Sequence, residues 1–307
     1  QRDEARKSWS GSGDLAMDAI WFKIQEQTGA SEFLGYKTEQ AEGQITAIVV
    51  DGNRVEEVKY GNEAAIVVNQ TPFYAESGGQ VGDAGFIKET SVGGSSFKVL
   101  DTQRKATGIF AHMGRLEKGS LKVGDDVRLD VDSRRRQNVR ANPSATHLLH
   151  AALRSRLGAH VTQKGSLVAE DRLRFDVSHH KALELDEIAD AEKIVNEQIA
   201  LNVQVITRLM EPDAAVESGA MALFGEKYGE EVRVVSMGRE KNKSDPFSTE
   251  LCGGTHVGYT GEIEIFKILS ESAVAAGIRR IEAITGESVS TYFISVEKAI
   301  NSTANQL

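Results

Sequence analysis

Residues 142–158 read NPSATHLLHAALRSRLG. Asn142 is placed to cap a helix, Pro143 suits the first helical position, where its missing N–H costs nothing, and Gly158 marks the end. Ala145, Leu148, Leu149 and Ala152 recur at helical spacing and predict one apolar face, while His147, His150 and Arg154 fall on the opposite one. This helix divides two textures. Upstream, the short β-branched runs QITAIVV, AAIVVN, FKVL and DVRLDV alternate with Gly, Asp and Asn turns, the pattern of a small antiparallel β-barrel or sandwich. Downstream, a strand RLRFDVS, a helix over 185–201, a strand over 203–209, and the strands GEIEIFKILSES and IRRIEAIT predict helices packed on an antiparallel sheet. The expected class is α+β, a small antiparallel β-barrel followed by an α+β core. A helix over 13–28, stopped by Gly29, precedes the barrel. The predicted divisions are a helical connector at 1–41, the barrel at 42–133, the core at 134–288 and the start of a C-terminal helix at 289–307.

The chain of 307 residues is long enough to bury a sizeable core, and 40% hydrophobic with 26% charged residues is the balance of a globular protein. No apolar run approaches the ~18 residues that would suggest a membrane span. The chain begins with Gln1 rather than Met, which predicts a piece of something longer. Cys252 is the single cysteine, so a disulfide framework is excluded and a reducing, cytoplasmic compartment is expected. The net charge of −9 argues against indiscriminate nucleic-acid binding. Yet Arg134, Arg135, Arg136, Arg140, Arg154 and Arg156 fall in a stretch without an acidic residue. That stretch is either a solvated arginine face or a local field for phosphates.

Two places concentrate metal-ligating side chains. One is the helix face with His147 and His150. The other is LCGGTHV, 251–257, where Gly253 and Gly254 disfavour a helix and permit a turn that folds Cys252 and His256 toward one point. A thiolate and imidazoles are the donors zinc prefers. If helix and turn face each other, His147, Cys252 and His256 supply three ligands and leave a fourth position for water or another side chain. The plainer alternative is a small buried thiol and two solvated histidines.

Three further stretches carry polar groups in suggestive places. TPFYAESGGQVGDAG, 71–85, lacks the strand-to-helix setting of a dinucleotide loop and reads as a glycine-rich turn with Gln80 toward a cleft. HVTQKGSLV, 160–168, offers the Gln163 amide and the Lys164 cation just past the helix. In GIRRIEAITG, 277–286, Arg279 and Arg280 must point to opposite faces of a strand, so one of them needs an anionic or carbonyl partner.

Taken together, SATHLLHAALRSRLGAHVTQKGSLVAEDRLRFDVSH, GAMALFGEKY, ELCGGTHVGYTGEIEIFKILSES and AAGIRRIEAITGE resemble the editing domain of the alanyl-tRNA synthetase family. YAESGGQVGDAG resembles the β-barrel before that core, and WFKIQEQTGASEFLGY the connector before the barrel. The resemblance implies hydrolysis of the ester formed when serine or glycine is attached by mistake to tRNA(Ala). The ATP-dependent core that attaches alanine has no counterpart in this chain. The family's zinc ligands fall on residue 143, His147, Cys252 and His256, and residue 143 is proline. The scaffold should survive a proline early in a helix, but the metal shell loses one imidazole, with a water or His150 to fill the gap. Thr146 and Gln163 match family positions beside the amino acid, and Arg279 an arginine of the editing cleft. Gln80, Lys164 and the arginines Arg134, Arg135, Arg136 and Arg140 are the expected contacts to substrate and tRNA. The implied partners are tRNA(Ala) mischarged with serine or glycine and the remainder of a synthetase chain, with no membrane. Two rivals stand: a tRNA-binding module whose chemistry is lost with residue 143, and a free-standing editing protein. The helical ends at 1–10 and 290–307 speak against the second.

Overall fold

The structure is a computed structural model that describes residues 11–91, 94–217, 219–221, 230–241 and 243–305. The first ten residues of the expected connector, most of GAMALFGEKY and residues 306–307 lie outside the described residues. Two compact units emerge. One runs through Ser77 and takes in Val81–Arg135, and the other consists of Gly78–Gln80 and Arg136 onward.

The first unit is a closed antiparallel barrel. Its six strands follow the ring order Gln40–Val50, Glu63–Val68, Ile109–Lys118, Ser96–Lys105, Gly85–Glu89 and Asp126–Val131, the last pairing back onto the first. Closure leaves no unpaired edge in the ring. Alternation along each strand sends Ala64, Ile66 and Val68 inward, where they meet Phe73, Ile87, Phe97 and Leu129. Ala65 and Val67 face outward instead. A bulge between Ile45 and Ala47 shifts the phase, so Ile45 and Ile48, three apart, both reach the interior. On the outer face helix α1 (Gly11–Thr28) lays Trp21 and Ile24 against Ala47, Val49, Ala65, Val67, Ile109 and Ala111. Three alanines in that patch let the helix come close. Gly29, at φ +75°, ends it in the left-handed region that favours glycine.

His112 is fully buried within this unit. Its Nδ1 lies 2.9 Å from the Ile66 carbonyl and its Nε2 2.7 Å from the Thr71 hydroxyl. Burial pushes its pKa down to about 4, although the bond to Ile66 opposes the shift.

The second unit is built on a four-stranded antiparallel sheet in the order Gln163–Val168, Leu173–Ser178, Ile278–Thr285, Phe266–Ala275. Leu173, Phe175, Val177, Ile281 and Ala283 form its core face. Against them pack Ala145, Leu148, Leu149 and Leu153 of α2 (Ser133–Leu157), and Ala191, Val195 and Ile199 of α3 (Leu185–Ala200). Each of the fully buried leucines contributes about 1.5–3 kcal/mol. A second antiparallel sheet, Ile206–Met210, Val232–Met237 and Ser248–Leu251, adds Val235 and Met237 to this core. Its Val232, Val234 and Leu251 pack instead with Ala215 of the short α4 (Pro212–Glu217). Helix α5 (Glu287–Ala304) follows the last strand. The expected α+β class is what the chain adopts.

Two expected elements differ. Helix α2 begins at Ser133, not Asn142, because Asp132 caps it: the Asp132 carboxylate accepts the Arg135 N–H at 3.0 Å. Pro143 therefore stands inside the helix, where it has no N–H to offer the turn before it. Asn142 is no cap. Its amide donates to the Ala169 carbonyl at 2.7 Å and accepts from the Thr285 hydroxyl at 2.9 Å, tying the helix to its surroundings. The histidine face is not solvated either, since every residue from Ala141 to Leu153 is buried. The second difference lies in GEIEIFKILSES. It opens with a 3-10 turn at Thr260–Ile263, held by the Glu262 carboxylate on the N–H groups of Gly258 and Tyr259, and the strand begins only at Phe266.

Candidate metal centre

Helix α2 supplies Ser144 and His147, which share a face at i and i+3. The strand Ser248–Leu251 supplies Glu250 and runs directly into the turn with Cys252, Thr255 and His256. That turn is gripped on three sides. The Cys252 N–H continues the sheet by bonding the Arg233 carbonyl at 2.9 Å. The Arg233 guanidinium donates to the carbonyls of Cys252 and Gly254 at 3.0 and 2.6 Å. The Gln80 amide accepts the Thr255 N–H and donates to the Thr255 hydroxyl, both at 2.9 Å. Gln80 itself is placed by Gly79, at φ +85°, where a Cβ would stand 2.2 Å from the Ser166 carbonyl oxygen. Whereas Gly78 has open space beside it, Gly79, Gly82 and Gly85 of the 71–85 stretch thus serve close backbone approach. Gly254 has the same reason: a Cβ there would lie 2.9 Å from Gln80 Oε1 and 3.4 Å from Cys252 Sγ.

The ligating atoms of His147, Cys252 and His256 all lie within 4.8 Å of one another. The two imidazole rings stand 5.0 Å apart between centroids, and His256 Nε2 is 3.3 Å from Cys252 Sγ. Both rings are oriented from behind. Ser144 Oγ donates to the Arg140 carbonyl at 2.8 Å, so at 3.1 Å from His256 Nδ1 it accepts, and the proton belongs on Nδ1. An ionised Glu250 can only accept, so His147 Nδ1, 2.7 Å from Glu250 Oε2, carries a proton too. In each ring the outer nitrogen is held and Nε2 is left for the thiol side, the usual way in which a protein fixes metal-binding imidazoles.

Electrostatics supports the same reading. Burial works to raise the Glu250 carboxyl, but His147 and His150 outweigh it and hold the group well below the usual carboxylate range. Burial likewise opposes ionisation of Cys252, yet His256 and His147 hold the thiol well below its ordinary value. Burial would lower His147, and the Glu250 and Cys252 charges instead raise it to about 10. His256 is lowered, chiefly by burial. Two anions thus flank one imidazolium, His147, a setting in which a divalent cation replaces its Nε2 proton favourably. Two nitrogens and a thiolate suit zinc. Pro143 brings no donor atom.

The other expected residues separate into groups. His150 stands outside the triad, with Nδ1 2.9 Å from Glu250 Oε1 and Nε2 3.3 Å from the Val161 carbonyl. Thr146 donates its hydroxyl proton to the Asn142 carbonyl at 2.9 Å. Gln163 opens its strand opposite Val177, and Lys164 beside it is exposed. Arg279 forms a two-pronged ion pair with Glu271, and Arg280 pairs with Asp176 at 2.7 and 2.8 Å, so each arginine of the strand has its anion. The arginines of 134–156 do not form one solvated face. Arg136 is fully buried, Arg135 donates to the Gly82 carbonyl at 2.7 Å, and Arg154 ties down the turn after α2 by donating to the Ala159 and Val161 carbonyls. Arg156 pairs with Asp190 at 2.8 Å, and Arg134 is exposed.

Sequence reasoning missed Glu250 and Ser144. Position was their one signal, and residue type gave none: Ser144 lies one helical turn before His147, and Glu250 two residues before Cys252 in a strand whose alternation buries it with Ser248.

Residues 1–135 match the family described as tRNA synthetases class II (A), and residues 232–282 match the threonyl and alanyl tRNA synthetase second additional domain. The fold and its buried His/Cys group thus occur in a class II aminoacyl-tRNA synthetase setting. The chain is 58% identical over 290 residues to an alanine–tRNA ligase of Rhodopseudomonas palustris, covering 93% of this chain and 32% of the relative. It is 54% identical over 308 residues to that of Parvibaculum lavamentivorans, covering 100% of this chain and 34% of the relative. With the alanine–tRNA ligase of Mesorhizobium japonicum the identity is also 54%, over 310 residues, covering 100% and 35%. The chain belongs to the alanyl-tRNA synthetase family, and it spans about a third of the length of the curated relatives it matches.

Proposed function

We propose that this chain is an editing hydrolase, which cleaves the ester of tRNA(Ala) mischarged with serine or glycine. The observation that carries the reading is the buried group of His147, Cys252 and His256, with Glu250 and Ser144 fixing both rings. The ligands for zinc would be the three members of that group. Zinc, when bound, supplies a Lewis acid that polarises a carbonyl and lowers the pKa of water.

The chain's own residues supply the selection. A serine hydroxyl is distinguished only by a dedicated polar partner, since an apolar wall rejects it poorly. Thr146 gives its proton to the Asn142 carbonyl, so its oxygen keeps a lone pair that can accept a substrate hydroxyl. The Gln163 amide offers both a donor and an acceptor. Arg279, held by Glu271, would secure the substrate's backbone or terminal adenosine. Gln80 acts on the turn, keeping Thr255 and its neighbours in place. For tRNA phosphates the exposed Lys164 and Arg134 are suited, whereas the fully buried Arg136 is a structural group. A lone thiol fits a reducing cytoplasm, and none of the described helices is long and apolar enough to cross a membrane.

A second reading is favoured by one observation, Pro143 at a metal-ligand position: a module that binds tRNA(Ala) without hydrolysing it. Deacylation of Ser-tRNA(Ala), with Ala-tRNA(Ala) as control, separates them. The hydrolase releases serine selectively, and Cys252→Ala loses turnover while tRNA affinity is kept. Binding without release at saturating protein would establish the binder. Affinity should also fall steeply with salt despite the net charge, and a flat response would count against phosphate contacts.

A further inference from the structure

The second unit holds another cluster of metal-ligating side chains, apart from the Cys252 turn. His160 lies in the turn after α2, and His179 and His180 lie in the segment between the strand Leu173–Ser178 and α3. One ring nitrogen from each of the three lies within 4.8 Å of the other two. His160 Nε2 and His179 Nδ1 are 2.9 Å apart with the rings stacked, and the His179 and His180 rings stand 4.8 Å apart. The central ring is 4% exposed, while its two neighbours are exposed.

Two observations set this group apart from a chance meeting of surface histidines. The first is an unsatisfied atom: His179 Nε2 is buried and has no hydrogen-bond partner. Buried polar atoms in folded proteins nearly always have one, so the His179 ring, whose Nδ1 meets His160, carries a second nitrogen with a missing partner. The second is a scaffold that fixes the two segments. Ser178 N–H bonds the Thr162 carbonyl and the Ser178 hydroxyl donates to the His160 carbonyl at 2.7 Å, while Thr162 N–H bonds Ser178 Oγ at 2.9 Å. The His179 N–H is anchored on the Gly277 carbonyl at 3.0 Å. The backbone therefore brings the three rings together without help from a ligand. His160 and His180 can turn a nitrogen by side-chain rotation alone, at the surface, while His179 is held.

Charge permits a cation here. Lys181 is the nearby cation, and it is paired with Glu187 at 3.3 Å. Three imidazoles with no thiolate form a borderline donor set, suited to zinc, copper or nickel rather than to magnesium or calcium.

We propose that His160, His179 and His180 form a second transition-metal site, chemically distinct from the His147–Cys252–His256 group. It joins the turn that ends α2 to the segment that leads into α3. The site does not depend on the proposed editing activity.

The test is a zinc titration of the metal-free 307-residue chain against a chromogenic chelator, with Zn2+ alone as the probe. Two equivalents are expected in the unaltered chain and one in Cys252→Ser. In the Cys252→Ser background, His160→Ala and His180→Ala should each weaken the remaining equivalent at least tenfold, since even loss of an outer partner of a metal ligand costs about 10–100-fold. Both positions are exposed, so these variants leave the core intact, and zinc should raise the thermal midpoint of the Cys252→Ser chain but not of its His160→Ala derivative. The proposal is overturned if Cys252→Ser binds no zinc, or if its bound zinc is indifferent to both histidine changes.

Discussion

Glu250 carries more of the site than its sequence neighbourhood suggests. Its two oxygens serve two imidazoles, His147 at 2.7 Å and His150 at 2.9 Å, in a fully buried setting. Glu250→Gln keeps the shape but replaces an anion by an amide that must offer N–H to at least one ring. Zinc affinity should fall about 10–100-fold, measured by chelator competition, with the fold retained by circular dichroism. An unchanged affinity would show that His147 needs no carboxylate behind it. Gln80→Ala acts differently, because it strips the buried Thr255 N–H and hydroxyl of their partner. A loss of about 1–3 kcal/mol is expected in a denaturant melt. At this scale His147, Cys252 and His256 were legible in the sequence, because thiol and imidazole are a recognisable donor set. Glu250 and Ser144 were not, because carboxylates and serines are ordinary residues until a fold puts a ring nitrogen within 3 Å or so.

Helix α2 shows how an element can be recognised and yet be mislaid by three turns. Asn142-Pro143 looks like a helix start, and in isolation it is a better one than Asp132-Ser133. The packing decides otherwise: Asn142 is buried between Ala169 and Thr285, and the nine residues before it continue the helix. Pro143 then lies four residues before His147 on the same face, inside a folded helix rather than at its loose end. Pro143→His should therefore place a third imidazole, and a fourth ligand, beside the group. It would also return an N–H to the helix interior, where proline is disfavoured by about 3 kcal/mol. Tighter zinc binding by at least tenfold and a thermal midpoint no lower than before are expected, from chelator competition and calorimetry. A variant that binds zinc no better would mean that residue 143 does not face the triad.

Across the whole chain the barrel was the most legible part, since short β-branched runs separated by Gly, Asp and Asn turns read as strands, and a run such as DVRLDV alternates between buried and more exposed residues. What alternation could not reveal was the bulge at Ile45–Ala47, where one extra residue puts Ile45 and Ile48 on the same side. Nor could it show that His112, in the strand Ile109–Lys118, is a fully buried member of that interior. His112 has a consequence for the behaviour of the chain in acid. Its pKa is about 4 in the folded barrel and near 6.5 in the unfolded chain, so below 6.5 the unfolded chain binds the proton first. The contribution to stability is whole above about 6.5 and is lost progressively as pH falls toward 4, amounting to roughly 3 kcal/mol. Asp176 and Glu187 are depressed carboxylates, and their losses come at lower pH, as they protonate beneath the ordinary carboxylate range. The windows can therefore be told apart. Trp21 packs on the barrel wall, so its fluorescence in a Trp9→Phe chain reports unfolding of that unit. Urea midpoints read this way should drop between pH 6.5 and 4, with the uptake of about one proton on unfolding, and His112→Asn should flatten this limb while leaving the steeper loss below it. A midpoint constant down to pH 4.5 would mean that the ring is already charged in the folded barrel, and that its bonds to Ile66 and Thr71 are arranged for an imidazolium.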